Sequence, residues 1–315
     1  MKMKNNLNVN VSPHIHTNES TAKIMWWVVA SLIPAGCAGV FIFGLNALWV
    51  IILSVLTALL AELTWQVLTK RKVTISDGSA FLTGLILAYN LPAGVPLWLP
   101  VVGAIFSIII GKQIFGGLGQ NIFNPALVGR VFLMASWPSY MTTFIKPLAY
   151  DTVTAATPLA ALKEGKAIEH LSTLELLLGL RGGCIGEVCI LALLLGAAVL
   201  LIKKYISWHI PVIYIATTGL FTYLFAGKQL FSGDWLFHIL SGGLILGAFF
   251  MATDYVATPL TRKGQVIFGI GCGLLTGVIR IWGGYPEGVA YSILMMNAAT
   301  PFIDRYTKNK VYGAV

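Results

Sequence analysis

Ten apolar segments follow one another along this chain, at 24–44, 47–68, 79–89, 96–110, 125–137, 184–202, 210–226, 236–252, 265–282 and 288–303, and they constrain its fold more than any other feature. A helix crossing the hydrocarbon core needs about 20 residues, within a range of about 17 to 25. Several of the ten fall short of that, notably 79–89 and 125–137, and these begin or end at Pro, Gly or Asn. That pattern predicts helices broken inside the membrane. Non-helical backbone is tolerated at such depth only where protein covers it or where it lines a cavity. Of the 315 residues, 57% are hydrophobic and 10% charged, against roughly a quarter charged in a soluble domain. The expected class is an all-α integral membrane protein. Its first span opens with Lys23, Trp26 and Trp27, lacks a signal-peptide pattern and is expected to be retained as a helix.

The formal charge of +9 raises the question of nucleic acid, which the placement of the basic residues answers. With the amino terminus in the cytoplasm, the inner set is Lys2, Lys4, Lys23, Lys70, Arg71, Lys72, Lys112, Lys203, Lys204, Arg262, Lys263, Arg305, Lys308 and Lys310. The outer set is Lys146, Lys163, Lys166, Arg181, Lys228 and Arg280. A bias of 14 to 6 obeys the positive-inside rule, so no nucleic-acid partner is expected. Five spans precede the long polar interval 138–183, which therefore lies outside the cytoplasm, with both termini inside. The expected organisation is a tail over 1–22, a first five-helix repeat over 23–137, the extracytoplasmic loop 138–183, a second repeat over 184–304 and a tail over 305–315. The two repeats have opposite orientation. Gly116-Gly117 followed by Asn124-Pro125 and Arg130 has a faint echo in Gly283-Gly284 followed by Asn297, Pro301 and Arg305.

Polar residues that interrupt this pattern are candidates for chemistry. Asn124-Pro125 is a helix start, an Asn N-cap followed by Pro at the first helical position. Arg130 falls midway along its span, where a charge must face the protein interior or a polar ligand. Glu62 lies late in the second span and is assigned no ion carriage. Asp77, in Ser76-Asp77-Gly78-Ser79, and Asp254 each stand at the cytoplasmic end of a span. Cys37, Cys184, Cys189 and Cys272 have no metal-finger spacing and read as small buried hydrophobes, and His14 with His16 reads as a solvated tail, so no metal site is expected. The segment from Asp151 to Pro158 is rich in hydroxyls and is expected to be exposed; by itself it reads as a connecting loop.

Taken together, Ser76-Asp77-Gly78, Gly116-Gly117 with Asn121, Asn124-Pro125-Ala126, Gly129-Arg130, Thr154-Ala155-Ala156-Thr157-Pro158 and Phe249-Phe250-Met251-Ala252-Thr253-Asp254 resemble the RnfD component of the Rnf complex, the ion-translocating ferredoxin:NAD oxidoreductase. They are similar also to the NqrB component of the sodium-translocating NADH:quinone oxidoreductase. The short amino-terminal region favours the former. The resemblance implies about ten transmembrane helices as two inverted five-helix repeats, in the cell (inner) membrane. It implies FMN joined through its phosphate to a threonine by a flavin transferase. The family motif maps onto Asp151, Thr154, Ala156 and Thr157, with Thr157 as the phosphoester and Thr154 as the fallback. It also implies a noncovalent riboflavin near the broken helices, contacted by Arg130 or Asn124. The flavins carry the redox chemistry, while a second flavin subunit, the iron–sulfur subunits, ferredoxin and NAD are partners. The chain would be part of a translocase and not catalytic alone. A flavin-free secondary transporter of inverted-repeat fold is the competing reading.

Overall fold

The computed structural model describes residues 19–147, 154, 155, 157–163, 172–227 and 229–308. Helix dominates, with a single two-residue β-ladder among the described residues. Helix α1 (Thr21–Phe43) is opened by Ser20, whose Oγ accepts from the Lys23 amide at 3.2 Å. It meets α2 (Leu45–Leu68) at Gly44, where φ is 78°, a conformation that favours glycine. With α13 (Arg262–Trp282), these are the three described helices long and apolar enough to cross a bilayer.

The other helices are shorter. They are α3 (Ser79–Tyr89), α4 (Trp98–Ile108, continued by a π turn at Ile109–Gln113), α5 (Pro125–Ser136) and the short α6 (Pro138–Thr142). Strands β1 (Phe144–Ile145) and β2 (Thr154–Ala155) form the ladder, followed by α7 (Pro158–Lys163) and α8 (Thr173–Leu178). Then come α9 (Ile190–Ile202), α10 (His209–Phe225), α11 (Trp235–Leu240), α12 (Leu244–Leu246, continued by a π turn at Gly247–Met251) and α14 (Val289–Tyr306). Helix α2 packs on α3 and α4, and α4 on α5; likewise α10 packs on α11 and α13, and α13 on α14. Helix α1 lies along α9 and joins the two groups.

Short helices leave backbone groups that must find partners at depth. An 11-residue α3 spans only about 16 Å. Its open end is completed by the other group: the Ile185 amide donates to Leu91 O and the Gly186 amide to Tyr89 O, each at 3.0 Å. The apolar segment 236–252 breaks at Ser241-Gly242-Gly243, with Gly242 at φ 69°. The carbonyls freed there are taken by Arg280, which donates to His238 O and, at 3.2 Å, to Ser241 O.

These contacts correct the charge reading. Arg280, Arg181 and Lys112 counted as residues of aqueous connections, yet they are 5%, 4% and 2% exposed. Broken helices supply carbonyls and buried carboxylates that stabilise cations in the interior, which hydropathy cannot register. Among the cysteines, Cys184 and Cys272 are buried, whereas Cys37 is exposed.

The junction of Gly186 with α3 leaves no room. A Cβ there would lie 2.3 Å from Tyr89 Cβ, and Tyr89 is pinned by its hydroxyl, which donates to Leu32 O at 2.9 Å. Gly186→Ala should therefore cost about 1–3 kcal/mol by overpacking, read as a lower thermal midpoint of the detergent-solubilised complex. An unchanged midpoint would mean that the junction relaxes freely.

Candidate functional site

Three polar sites among the described residues are candidates for function, and the first lies around Thr157. The ladder pairs Phe144 with Ala155 and Ile145 with Thr154, so Thr157 follows it by two residues. Thr157 Oγ1 accepts from the Ala160 amide at 3.2 Å and opens α7. The expected exposure is not found: Thr157 is 3% exposed. The reason is tertiary. Leu159 packs against Gly242, and Lys163 Nζ donates to the carbonyls of Gly283 and, at 3.3 Å, of Tyr285. Under α7 lies an open pocket lined by Leu159, Leu162, Lys163, His238, Arg280 and Pro286, with about 600 Å³ of free space when the adjoining solvent is counted. Of the other expected site residues here, Asp151 and Ala156 lie outside the described residues, and Thr154 is described by its backbone alone.

The second site is a buried layer around Arg130. Its guanidinium donates to Asn90 Oδ1, forms an ion pair with Glu287 and lies 3.9 Å from Cys184 Sγ. Glu187 Oε1 accepts from the Cys184 amide at 3.0 Å, and Arg181 donates to Glu187 O at 3.4 Å. Ligand atoms of Cys184, Glu187 and Glu287 lie within 4.8 Å of one another. A cation there would compete with Arg130, which already occupies the Glu287 carboxylate. Burial lowers the Arg181 guanidinium from its ordinary value, and the nearby Glu187 and Glu287 oppose that shift. Arg181 Nε and Nη1, Glu187 Oε2, His238 Nδ1 and Ser241 Oγ are buried and find no partner among the described residues. Such atoms in a buried layer mark a place for water or a polar ligand.

The third is a cleft at the other end of α3. Its free space is about 740 Å³ when the open solvent at its mouth is counted. Leu82, Ile86, Phe249 and Phe250 give apolar walls, while Ser79, Lys112, Asn121, Asn124 and Asp254 give polar edges. Asn124 reaches the cleft and Arg130 does not, so the structure separates two residues expected at one ligand. Asn124 is also committed structurally: its Oδ1 accepts from the Ala126 amide at 3.1 Å, and its Nδ2 donates to Met251 O at 3.3 Å. From there a polar thread crosses the protein, since Asn90 Nδ2 donates to Met251 Sδ at 3.3 Å and Asn90 Oδ1 accepts from Arg130.

Sequence reasoning missed the pair of Glu62 and Lys112. Lys112 Nζ lies 2.7 Å from Glu62 Oε2, with both side chains almost wholly buried. The available signal was one carboxylate in the second apolar segment and one ammonium just beyond the fourth, two charges that the interior tolerates best together. Asp254 is half-buried at the cleft edge, and burial pushes its carboxyl up to about 6, against the Val256 amide that favours the anion. A raised carboxyl means that the folded protein holds this proton more tightly than the unfolded chain. Stability from this group is thus complete below about pH 4 and declines as pH rises through about 6. Asp254→Asn should flatten that slope and raise stability at pH 7.5 by about 1–2 kcal/mol, measured by thermal unfolding across pH; an unaltered slope would refute it.

Known proteins share this sequence over nearly its whole length. The model of the NQR2, RnfD, RnfE family matches residues 8–313. The chain is 51% identical over 310 residues to the D component of the Na(+)-translocating ferredoxin:NAD(+) oxidoreductase complex of Acetobacterium woodii, covering 98% of this chain and 96% of the relative. It is 48% identical over 321 residues to the D component of the proton-translocating ferredoxin:NAD(+) oxidoreductase complex of Clostridium ljungdahlii, covering 98% and 97%. Identity to the D component of the ion-translocating oxidoreductase complex of Citrobacter koseri is 37% over 343 residues, covering 96% and 97%.

Proposed function

Since the chain belongs to the NQR2, RnfD, RnfE family, we propose that it is the membrane electron-transfer subunit of an ion-translocating ferredoxin:NAD+ oxidoreductase complex, carrying FMN as a phosphoester of Thr157. The observation that carries this reading is the seat of Thr157. Its hydroxyl oxygen accepts one amide hydrogen and donates to no described residue, so an ester at that oxygen keeps the helix cap. The space beneath α7 combines apolar walls with Lys163 and Arg280, which suits an aromatic ring system bearing a phosphate. At 3% exposure, Thr157 is accessible to a transferase only before α7 docks or when it lifts.

A noncovalent riboflavin belongs in the cleft at the far end of α3, whose apolar walls and amide edges suit an uncharged flavin. Bound flavins supply the one- and two-electron chemistry. This chain tethers one at Thr157, encloses the other beside Asn121 and Asn124, and separates the two with the Arg130 layer. Two inverted halves, 23–137 and 184–304, are part of the proposal. In support, the second segment packs on the third and fourth as the seventh does on the eighth and ninth, and the first packs on the sixth. The loop 138–183 then faces outward and both termini face the cytoplasm, with the remaining Rnf subunits and the flavin transferase as partners.

In-gel fluorescence of the denatured protein from its native host, followed by mass mapping of the peptide 147–163, tests this reading directly. An FMN-sized adduct on Thr157 is expected. A bare peptide from a host that makes the transferase would sink the covalent-flavin reading.

A further inference from the structure

Beside the cleft, four side chains join into one short hydrogen-bonded file. Ser79 Oγ donates to Asp77 Oδ1 at 2.5 Å. Lys112 Nζ donates to Ser79 Oγ at 2.6 Å and to the two carboxylate oxygens of Glu62 at 2.7 and 3.0 Å. Glu62 is held from behind by Gln66, whose Nε2 donates to Glu62 Oε1 at 3.1 Å. Lys112, Glu62 and Ser79 are 2%, 1% and 5% exposed, whereas Asp77 is only half-buried. Ser79 and Lys112 also line the cleft. The file therefore has one end near solvent and the other on the cleft wall.

A clamp between α2 and the π turn after α4 would need Glu62 and Lys112 alone. Ser79 and Asp77 extend that pair toward the surface, through a hydroxyl that accepts from the ammonium and donates to the carboxylate. Two-electron reduction of a flavin ring consumes protons, and this file reaches the cleft wall at Ser79 and Lys112, apart from Asp254 on the cleft edge. We propose that Asp77, Ser79 and Lys112 form a proton route between the aqueous face and the cleft, with Glu62 as the fixed counter-charge. The proposal rests on the reading of the cleft as a noncovalent flavin site.

The transfers balance residue by residue. The electrons come from a reduced iron–sulfur or flavin carrier of the complex. Lys112 releases one proton from Nζ toward the cleft; Ser79 passes its hydroxyl proton to the resulting amine; Asp77, protonated from water, restores the hydroxyl. Each transfer breaks one N–H or O–H bond and forms another. Among the described residues, the charged and titratable groups in contact with this file are Glu62 from α2 and Asp77 from the turn before α3, while Asp254 and Tyr255 line the same cleft.

The test uses the assembled complex carrying Ser79→Ala, Ser79→Thr or Lys112→Gln. Acid-extractable flavin is quantified, and reduction of that flavin is followed by stopped-flow absorbance in H2O and D2O. Ser79→Ala should retain the flavin yet slow its proton-linked reduction by about tenfold or more, with an altered solvent isotope effect, and Ser79→Thr should restore both. Full flavin content with unchanged rates in Ser79→Ala and Lys112→Gln overturns the proton route alone. Loss of flavin from Ser79→Ala assigns the file to binding and likewise overturns it. A wild-type complex without extractable flavin overturns the reading of the cleft, and the route with it.

Discussion

Thr157→Ala in the assembled complex is expected to abolish flavin fluorescence of the denatured protein and to bring ferredoxin-dependent NAD+ reduction to background. One oxygen atom is responsible for both losses. In the proposed holoprotein Thr157 Oγ1 is the only covalent link to FMN, and alanine has nothing in its place. The same oxygen caps α7 by accepting from the Ala160 amide, so alanine also removes about 0.5–2 kcal/mol of local stability. Two controls separate these effects. Thr157→Ser keeps an oxygen for the cap and a hydroxyl for the transferase, and should retain assembly and part of the flavin. Thr154→Ala tests the fallback position in the same motif and should leave the adduct on Thr157 in place. A fluorescent band that survives Thr157→Ala and disappears with Thr154→Ala would move the tether by three residues.

The second large effect is expected at Arg130. Its guanidinium binds Asn90 of the first group of helices and Glu287 of the second, and Arg130 is 3% exposed. Removing one partner of a buried pair strands the other charge, which is destabilising by about 3–5 kcal/mol. Arg130→Met should therefore lower the thermal midpoint of the complex strongly and reduce the yield of assembled protein. Combining it with Glu287→Gln removes the stranded carboxylate and should recover much of the loss. Arg130→Lys should fall between, because a single ammonium cannot reproduce the fork that reaches Asn90 and Glu287 together. Equal stability of wild type, Arg130→Met and the double variant would show that this pair does not hold the two groups together.

Arg130 is recognisable from sequence as an interior group, because a charge midway along an apolar segment has few stable alternatives. Glu287, 157 residues away, carries no mark that ties it to Arg130. Asn124 is readable as a helix start from its neighbour Pro125, and its Oδ1 does cap α5. Its second bond, to Met251 O, depends on a π turn that no local pattern announces. Lys112 follows the positive-inside count faithfully and nevertheless lies inside, since the rule counts charges near helix ends and is blind to a carboxylate such as Glu62 facing them.

By itself the sequence determined the class of the protein, the positions of its apolar segments, the breaks at Gly, Pro and Asn, and a family likeness that the comparisons bear out. Hydropathy, capping and backbone restriction act within a few residues, so a linear pattern records them. Only the tertiary structure decided that Thr157 is covered, that Arg280 serves the broken α11–α12 stretch, and that Glu62 meets Lys112 beside a cleft. Those outcomes arise from partners 39 to 122 residues apart, brought together because buried charges and open backbone groups must be satisfied somewhere in an interior without water. Which partner satisfies each of them is a property of the packed chain.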